Sequence, residues 1–308
     1  MITVGGFNTS VDKTLDLDEL CPGAVNRVRA VRAAPGGKGL HVALTVAALG
    51  EKVRLVGLID SAHRTEFEDV LGARGVEFHG VETAGIRTCL DIRDRAGSRT
   101  TEILEPGPAV DSGIRAELAA RFLTLASESD LATLSGSTPP GYEDETYARL
   151  VTRLKEAGVR CLVDASRELL RHAVEARPFL VKPNREEAEA LTHASIVDAG
   201  AAAKVARALS ARGVGIAVVS LGAMGAVAAQ GSRAVHAASP PTEVLNPVGS
   251  GDCLLGGAAV ALRRGEGIEG MLRLGVACGA ANAAAGNRGW LRGDDVERVL
   301  ARVAVAEI

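Results

Sequence analysis

The stretch Asn246-Pro247-Val248-Gly249-Ser250-Gly251-Asp252 leads directly into an apolar run over residues 253–262. The run predicts a buried helix, and the two glycines before it predict a loop whose backbone N–H groups are not covered by side chains. A helix N-terminus of this kind binds anions. The carboxylate of Asp252 then has two explanations. It caps the helix by accepting hydrogen bonds from those amides, or it removes a proton from the group that attacks a phosphoryl group held there.

Outward from this stretch, short β-rich runs alternate with helical patterns along most of the chain. The alternation predicts an α/β fold with a Rossmann-like, mostly parallel sheet and helices on both faces. The predicted strands are 2–7, 53–59, 131–134, 161–164, 179–181 and 216–220, and the predicted helices are 37–49, 65–74, 142–157, 169–175, 185–191 and 199–212.

Two segments, 13–35 and 86–104, break this alternation because polar residues interrupt their apolar positions. Such strands cannot be central in a parallel sheet, where both faces are buried. We predict that they form a small antiparallel β lid, with a hairpin turn at residues 95–98. The main domain is then formed by residues 1–12, 36–85 and 105–308. A lid of this kind is able to pair with a second copy, which predicts a homodimer.

The composition favours a small-molecule partner. The formal net charge of the 308 residues is −3 and no basic run occurs, which argues against nucleic acid or an anionic membrane as partner. The five cysteines lack metal-ligand spacing, and the N-terminus lacks the pattern of a secretory signal. No uncharged apolar run is long enough to span a membrane. We therefore expect a cytoplasmic protein.

Two motifs near the N-terminus suggest a binding site for a polar substrate. Residues 36–39 form a glycine turn that opens a helix. It is either a plain turn or a place where bare backbone and the charge of Lys38 meet a substrate. Asn8 and Asp12 follow the first strand, at the edge where open parallel sheets bind ligands. They form either an Asx turn or a site for sugar hydroxyls. His41 follows the glycine turn, whereas the other five histidines are assigned to surface or structural roles.

Three later motifs also follow predicted strands. Residues 182–187 lead into a helix, and Asn184 and Glu187 have the spacing of a capping box. Alternatively, they face a triphosphate and orient Mg²⁺ through water. Residues 220–225 contain a glycine turn, which fits either a hairpin or a nucleotide that lies against bare backbone. The small residues around Ser137 leave room for a ligand at the sheet edge.

Taken together and in this order, the motifs resemble the PfkB family of ribokinase-like sugar kinases over nearly the whole chain. Residues 25–28, 101–105 and 244–252 resemble in particular its 1-phosphofructokinase and tagatose-6-phosphate kinase branch. The resemblance implies a kinase that depends on ATP and Mg²⁺ and carries a β lid that often forms a dimer interface. The chain departs from the usual pattern in three places. Residues 60–64 replace the glycine-rich turn expected after the second strand. His41 stands where the branch usually has Asn, and Thr9 stands where the family usually has Pro.

The resemblance also implies a role for each matched residue. It makes Asp252 the catalytic base and assigns the anion hole to Gly249, Ser250 and Gly251. The residues expected to bind the sugar phosphate are Asp12, Gly37, Lys38, His41, Arg87, Ser137 and, from the lid, Arg27. The residues expected to bind ATP are Lys182, Asn184, Ser220, Gly222, Gly225 and Asn282. Mg²⁺ is expected at Glu187 and Asn184, through water.

The predicted function is that of an ATP-dependent kinase that converts a ketohexose phosphate, tagatose 6-phosphate or fructose 1-phosphate, to the bisphosphate. One alternative is a kinase of fructose 6-phosphate, or of an unphosphorylated sugar or nucleoside. Another is a nucleotide-binding regulator with weak catalysis. A dinucleotide oxidoreductase is disfavoured because no G-x-G-x-x-G motif follows the first strand.

Overall fold

The computed structural model of the chain describes residues 1–97, 99–285 and 289–308. The strands in these residues are, in chain order, β1 (Ile2–Gly6), β2 (Ser10–Leu17), β3 (Ala30–Gly36), β4 (Val53–Ile59), β5 (Val76–Glu82), β6 (Arg87–Asp94), β7 (Arg99–Leu104), β8 (Leu131–Ser135), β9 (Arg160–Asp164), β10 (Leu180–Val181), β11 (Ile216–Ser220), β12 (Ala226–Gln230), β13 (Arg233–Ala238) and β14 (Ala304–Glu307). The helices are α1 (Lys38–Ala48), α2 (Arg64–Gly72), α3 (Ser112–Ser127), α4 (Thr146–Glu156), α5 (Arg167–Glu175), α6 (Arg185–Thr192), α7 (Ala199–Ala211), α8 (Ser250–Arg263), α9 (Ile268–Ala285) and α10 (Gly293–Leu300).

The main sheet has the strand order β14-β13-β12-β11-β10-β9-β8-β1-β4-β5. Neighbouring strands are parallel from β5 through β11, and β12, β13 and β14 extend the sheet in antiparallel fashion. Successive strand residues point to opposite faces, so Leu131 packs in one apolar core and Ala132 in another. Helices α1, α8 and α9 cover the first core, and α3, α4 and α7 cover the second. The predicted fold class is confirmed.

Small residues bring helix α8 close to its neighbours and so fix the position of its N-terminus. A methyl group on Gly256 would lie 2.7 Å from Thr45 of α1, and one on Gly257 would lie 2.7 Å from the sulfur of Cys278 in α9. Every residue of α8 from Asp252 to Leu262 is buried. The loop before this helix is therefore held on a rigid element, which suits a site that must be positioned accurately.

The lid is a four-stranded sheet with the order β3-β2-β6-β7. The pairs β2–β3 and β6–β7 are antiparallel as predicted, whereas the central pair β2–β6 is parallel. Strand β2 begins at Ser10, so Asp12 is carried by the lid sheet itself. The predicted turn at 95–98 falls on residues 95–97, which form a turn, and on Ser98, which lies outside the described residues.

Within the described part of the chain, none of the helices combines the length and the apolar character that crossing a membrane requires.

Candidate active site

The candidate residues lie where parallel strands of the main sheet end. Asn8 follows β1, Gly136 follows β8, Asp164 is the last residue of β9, and Lys182 follows β10. The helix that begins at the 246–252 stretch faces the same edge, since the amino group of Lys182 lies 3.3 Å from the position of a methyl group on Gly251. This edge is where open α/β sheets bind their ligands.

Asp252 lies in the first turn of α8 and is 5% exposed. The N-cap residue is Gly249, whose φ of 83° is left-handed, and within the described residues no backbone N–H donates to the carboxylate of Asp252. The capping explanation for Asp252 is therefore not observed. Instead, one oxygen of its carboxylate lies 3.1 Å from Nδ1 of His41. Burial would raise the pKa of Asp252, but the hydrogen bond with His41 and the charge of Lys38 outweigh burial and hold it below its ordinary value.

Two buried asparagines, Asn246 and Asn282, form hydrogen bonds with the loop before α8. The side-chain amide of Asn282 donates to the carbonyl oxygen of Val248 at 2.9 Å and to Oγ of Ser250 at 3.1 Å. Its oxygen accepts from the N–H of Gly289 at 2.7 Å. Asn246 accepts from the N–H of Val248 at 3.0 Å. The structure thus places Asn282, predicted as a nucleotide ligand, under the loop, where its side chain bonds to Val248, Ser250 and Gly289.

Asp12 lies across the ring of His41 from Asp252. Its Oδ2 atom is 3.5 Å from Nε2 of His41, and its Oδ1 atom accepts from the hydroxyl of Ser10 at 2.6 Å. A methyl group on Gly36 would lie 2.0 Å from the carboxyl carbon of Asp12. The first glycine of the 36–39 turn is therefore needed to make room for this carboxylate, which sequence reasoning had not linked to the turn.

Two lysines flank the buried carboxylate of Asp164. The amino group of Lys182 lies 3.0 Å from one carboxylate oxygen, and that of Lys38 lies 4.0 Å from the other. The charge of Asp164 is the main reason that the pKa of Lys38 lies above its ordinary value, despite burial, which lowers it. The amino group of Lys38 is therefore cationic at neutral pH, and that of Lys182 borders the loop before α8. Sequence reasoning placed Asp164 only as the end of a strand, although its position at the carboxyl edge was a usable signal.

Asn184 and Glu187 form the capping box that the sequence allowed. Oδ1 of Asn184 accepts from the N–H of Glu187 at 2.8 Å, and Oε2 of Glu187 accepts from the N–H of Asn184 at 2.9 Å. Burial, reinforced by the charge of Asp164, raises the pKa of Glu187 above its ordinary value. Asn184 also pairs with Ser220, so the capping box adjoins the 220–225 turn.

The 220–225 turn is shaped by its glycines. Gly222 and Gly225 have φ angles of 59° and 87°. A methyl group on Gly225 would lie 2.0 Å from the carbonyl oxygen of Ala237, so this glycine is required by the close approach of strand β13. The hairpin explanation accounts for Gly225, whereas nothing lies within 4 Å of a methyl group on Gly222.

Arg87, Asn8 and Ser137 meet where the lid joins the main sheet. Arg87 donates to the carbonyl oxygens of Asn8 at 3.3 Å and of Glu105 at 3.2 Å. The side-chain amide of Asn8 donates to Oγ of Ser137 at 3.1 Å. These bonds fix a guanidinium group at the mouth of the cleft between lid and sheet.

Arg27 is not brought to this cleft within one chain. Strand β2 pairs with β3 so that Asp12 faces Ala34 and Asp16 faces Ala30. Arg27 comes before Ala30 and therefore lies past the far end of this strand pair, where it is exposed. The nearby Arg29 forms an ion pair with Asp18 at 2.6 Å.

Among the described residues, no group of three or more His, Cys, Asp or Glu side chains is arranged to hold a metal ion. Asp164 and Glu187 are a pair of carboxylates that influence each other at the edge of the cleft. A hydrated Mg²⁺ ion requires only one or two carboxylates, so this pair fits it.

The molecule combines an open, mostly parallel sheet, a lid at its carboxyl edge and two cationic side chains beside a helix N-terminus. These features are those of an α/β enzyme that binds a small anionic ligand. Residues 6–288 match the family described as pfkB family carbohydrate kinase, and the chain belongs to this family. It is therefore a sugar kinase, an enzyme that transfers a phosphoryl group to an alcohol group, and the sugar kinases of this family use ATP.

Individual relatives support the branch that the motifs indicated. The chain is 35% identical over 261 residues to 1-phosphofructokinase of Xanthomonas campestris pv. campestris, which covers 83% of this chain and 82% of that protein. It is 30% identical over 312 residues to tagatose-6-phosphate kinase of Staphylococcus epidermidis, with both chains fully covered (100%). The tetrameric inhibited form of phosphofructokinase-2 from Escherichia coli has a similar structure, with a TM-score of 0.89, 27% identity and coverage of 97% and 98% of the two chains.

Proposed function

We propose that this enzyme transfers the γ-phosphoryl group of ATP to a hydroxyl group of a ketohexose phosphate, tagatose 6-phosphate or fructose 1-phosphate, to give the bisphosphate. The observation that carries the proposal is the buried carboxylate of Asp252, hydrogen-bonded to His41 in the first turn of α8. Two relatives named for these two substrates match at 30% identity or more, which supports the substrate class.

Asp252 acts as the general base. The His41 hydrogen bond and the charge of Lys38 keep its pKa below the ordinary value, so the carboxylate is ionised at neutral pH and can accept a proton. The proton comes from the sugar hydroxyl as its oxygen forms a bond to the γ-phosphorus, while the bond from this phosphorus to the β–γ bridging oxygen breaks and ADP leaves. Base catalysis of this kind contributes about 10²–10⁴ in rate.

The start of α8 stabilises the charge on the transferred group. Within the described residues, the N–H groups of Gly251 and Asp252 have no hydrogen-bond partner, and they point away from the helix as in any first turn. Lys182 adds a positive charge beside Gly251, and Lys38 adds a second near Asp164. Preorganised donors and cations at the site of developing charge are the main device of phosphoryl-transfer enzymes.

Glu187 and Asn184 would hold Mg²⁺ through water, with Asp164 nearby. The fit is supported by the raised pKa of Glu187, because burial beside a second carboxylate makes its ionised form unfavourable until a cation balances the charge. When bound, the ion neutralises phosphate charge and orients the triphosphate.

The sugar phosphate is bound between the lid and the sheet. Asp12 offers an acceptor for sugar hydroxyls, and Ser137 lies beside the Asn8 amide. Arg87 and Lys38 supply charge for the phosphate group, since hydrogen bonds to charged partners are worth about 1.5–3 kcal/mol each. An unphosphorylated sugar would make no use of Arg87.

A second copy of the chain covers the lid in this proposal. Five large apolar side chains of the lid are 42–82% exposed in one chain: Val25, Val28, Val31, Ile103 and Leu104. Burying them between two lids gives a hydrophobic contact and brings Arg27, which lies among them in the sequence, to the partner's cleft.

Sedimentation should give a dimer that Val31→Asp converts to monomers. If the wild-type protein is a monomer, the proposed contact between two lids is wrong. A tetramer, the state of the inhibited Escherichia coli enzyme, is compatible with this contact and requires a second interface.

The function is tested by incubating the protein with ATP, Mg²⁺ and one acceptor at a time. The acceptors are tagatose 6-phosphate, fructose 1-phosphate, fructose 6-phosphate, fructose and a nucleoside, with ADP formation and ³¹P NMR of the product as readouts. We expect bisphosphate from one of the first two. Turnover only with fructose 6-phosphate or with an unphosphorylated acceptor contradicts the assignment, and the absence of any turnover would leave the chain as a nucleotide-binding regulator.

A further inference from the structure

Both ring nitrogens of His41 face protein carboxylates. Nδ1 lies 3.1 Å from Oδ2 of Asp252, and Nε2 lies 3.5 Å from Oδ2 of Asp12. The His41 side chain is only 2% exposed. The two acids come from different parts of the molecule, Asp252 from the core helix α8 and Asp12 from the lid strand β2. His41 therefore connects the lid to the first turn of α8.

The ring of His41 is held in this orientation by its surroundings. A methyl group on Gly289 would lie 2.3 Å from Cδ2 of the ring, so the Gly289 backbone lies directly against it. On the other side, His41 is the fourth residue of α1, and its carbonyl oxygen accepts from the hydroxyl of Thr45 at 2.9 Å. The imidazole cannot turn toward the cleft without losing its contact with Asp252.

We infer that His41 is a positioning residue that orients the carboxylate of Asp252, and that it does not bind the sugar itself. The inference rests on the proposed function, in which Asp252 is the base, and it changes the role predicted for His41 from the sequence. An amide in this position, which the branch usually has, can offer donors to a sugar hydroxyl. The imidazole has two polar atoms, of which Nδ1 is hydrogen-bonded to Asp252 and Nε2 lies 3.5 Å from Asp12.

The bond between His41 and Asp252 lies among several charged groups. The ionisable groups that face His41 are Asp12 from β2 and Asp252 from α8, while Lys38 from its own helix and Lys182 from the end of β10 act on Asp252. Of the interactions that hold the pKa of Asp252 below its ordinary value against burial, the His41 hydrogen bond is the largest. A group that keeps the base ionised and fixed in direction affects the chemical step more than substrate binding.

The decisive experiment compares His41→Phe and His41→Asn with the wild type. Phenylalanine keeps a ring against Gly289 but has no nitrogen, and asparagine keeps one donor. Because a hydrogen bond to a charged group is worth about 1.5–3 kcal/mol, His41→Phe should lower kcat about 10–150-fold. The KM for sugar phosphate and for ATP should stay within about threefold of the wild type. His41→Asn should retain more kcat than His41→Phe. His79→Phe, on the edge strand β5, is the matched control and should leave kcat unchanged.

A double-mutant cycle tests whether His41 acts through Asp252. In an Asp252→Asn background the His41→Phe change should lower the residual kcat less than about threefold, because the carboxylate that it serves is gone. Effects that multiply would show that His41 acts independently and would overturn the inference. A rise in the KM for sugar phosphate with unchanged kcat would instead show a sugar contact.

A measurement without turnover separates this inference from the proposed function. The ¹⁵N signals of the His41 ring, assigned by their loss in His41→Asn, should shift in Asp252→Asn and stay unchanged in the exposed variant Asp144→Asn. If they shift while no acceptor is phosphorylated, the proposed function fails and the contact stands. Ring signals that are unchanged in Asp252→Asn would overturn the inference even if the kinase is active.

Discussion

The amino group of Lys182 lies 3.0 Å from a carboxylate oxygen of Asp164, and both side chains are buried. Lys182 follows β10 and Asp164 is the last residue of β9. These two strands are parallel neighbours, so the sheet itself brings the two side chains together. Lys38 approaches the other oxygen from helix α1 at 4.0 Å. One buried acid thus holds two cations at the edge where the phosphoryl group is transferred in the proposed mechanism.

Asp164→Asn should destabilise the fold strongly. Removing one partner of a buried ion pair leaves an uncompensated charge and costs about 3–5 kcal/mol. Denaturant unfolding measures this loss, with Asp130→Asn as the control. Asp130 pairs with the N-terminus at 2.6 Å but is 54% exposed, so its loss should cost about 0–1 kcal/mol. A similar small loss in both variants would mean that Lys182 does not depend on Asp164.

Asp252→Asn should lower kcat while leaving ATP binding nearly unchanged. The amide cannot accept the proton, so the loss should be about 10²–10⁴-fold, whereas the backbone donors at the start of α8 remain. Steady-state kinetics and calorimetric titration with ATP measure the two quantities. Wild-type turnover in this variant would exclude Asp252 as the base.

The contribution of Asp252 to stability should depend on pH. Its pKa in the folded protein lies below the ordinary value of 3.8. The ionised carboxylate therefore stabilises the fold above that value, and the contribution is lost as the pH falls through the folded pKa. The difference in unfolding free energy between wild type and Asp252→Asn should shrink as the pH falls from about 6 to about 3. The difference in unfolding free energy between wild type and Asp144→Asn, a variant at an exposed position, should change less over the same pH range.

The fold could be predicted largely from periodicity. Strands and helices that alternate at these lengths allow few arrangements other than a parallel sheet covered on both faces, and the predicted strand 53–59 is strand β4. The parallel pair β2–β6 could not be predicted, because a local pattern does not say which distant strand lies alongside. This pair also carries Asp12 on the lid rather than on the main sheet.

The candidate site was predictable where a motif is local and not where it depends on contacts between distant residues. The 246–252 stretch indicated an acid at a helix N-terminus, and the capping box of Asn184 and Glu187 followed from its spacing. The contact of His41 with Asp252 joins residues 211 positions apart, and no local pattern reports it. Asp164 was missed because its only signal was its position at the carboxyl end of a strand, without a spacing to a second residue.

Arg87→Ala should raise the KM for the sugar phosphate far more than the KM for ATP. A lost charge-assisted hydrogen bond is worth about 1.5–3 kcal/mol, which corresponds to about 10–150-fold. Arg121→Ala is the matched control, because Arg121 also donates to a backbone carbonyl, that of Gly80 at 3.0 Å, but lies on helix α3. Arg121→Ala should leave both constants unchanged. Equal increases in both KM values for Arg87→Ala would indicate that this arginine is structural.

Gly289→Ala should lower both stability and kcat, because Gly289 is needed for two separate reasons. Its φ of 66° is left-handed, a conformation that costs an alanine about 1–2 kcal/mol. In addition, the new methyl group would lie 2.3 Å from the His41 ring, which must move away from Asp252. Gly158→Ala isolates the first cost, since Gly158 has a φ of 74° and nothing lies within 4 Å of the added methyl group.

Gly158→Ala should therefore affect stability alone, whereas Gly289→Ala should affect both stability and kcat. Gly158→Ala should lose about 1–2 kcal/mol of unfolding free energy and keep the wild-type kcat. Gly289→Ala should lose more stability and also reduce kcat, and adding His41→Asn, a smaller side chain, should restore part of the stability. If Gly289→Ala keeps full kcat, the His41 ring can move without disturbing Asp252, and the Gly289 backbone is not what holds the ring against the base.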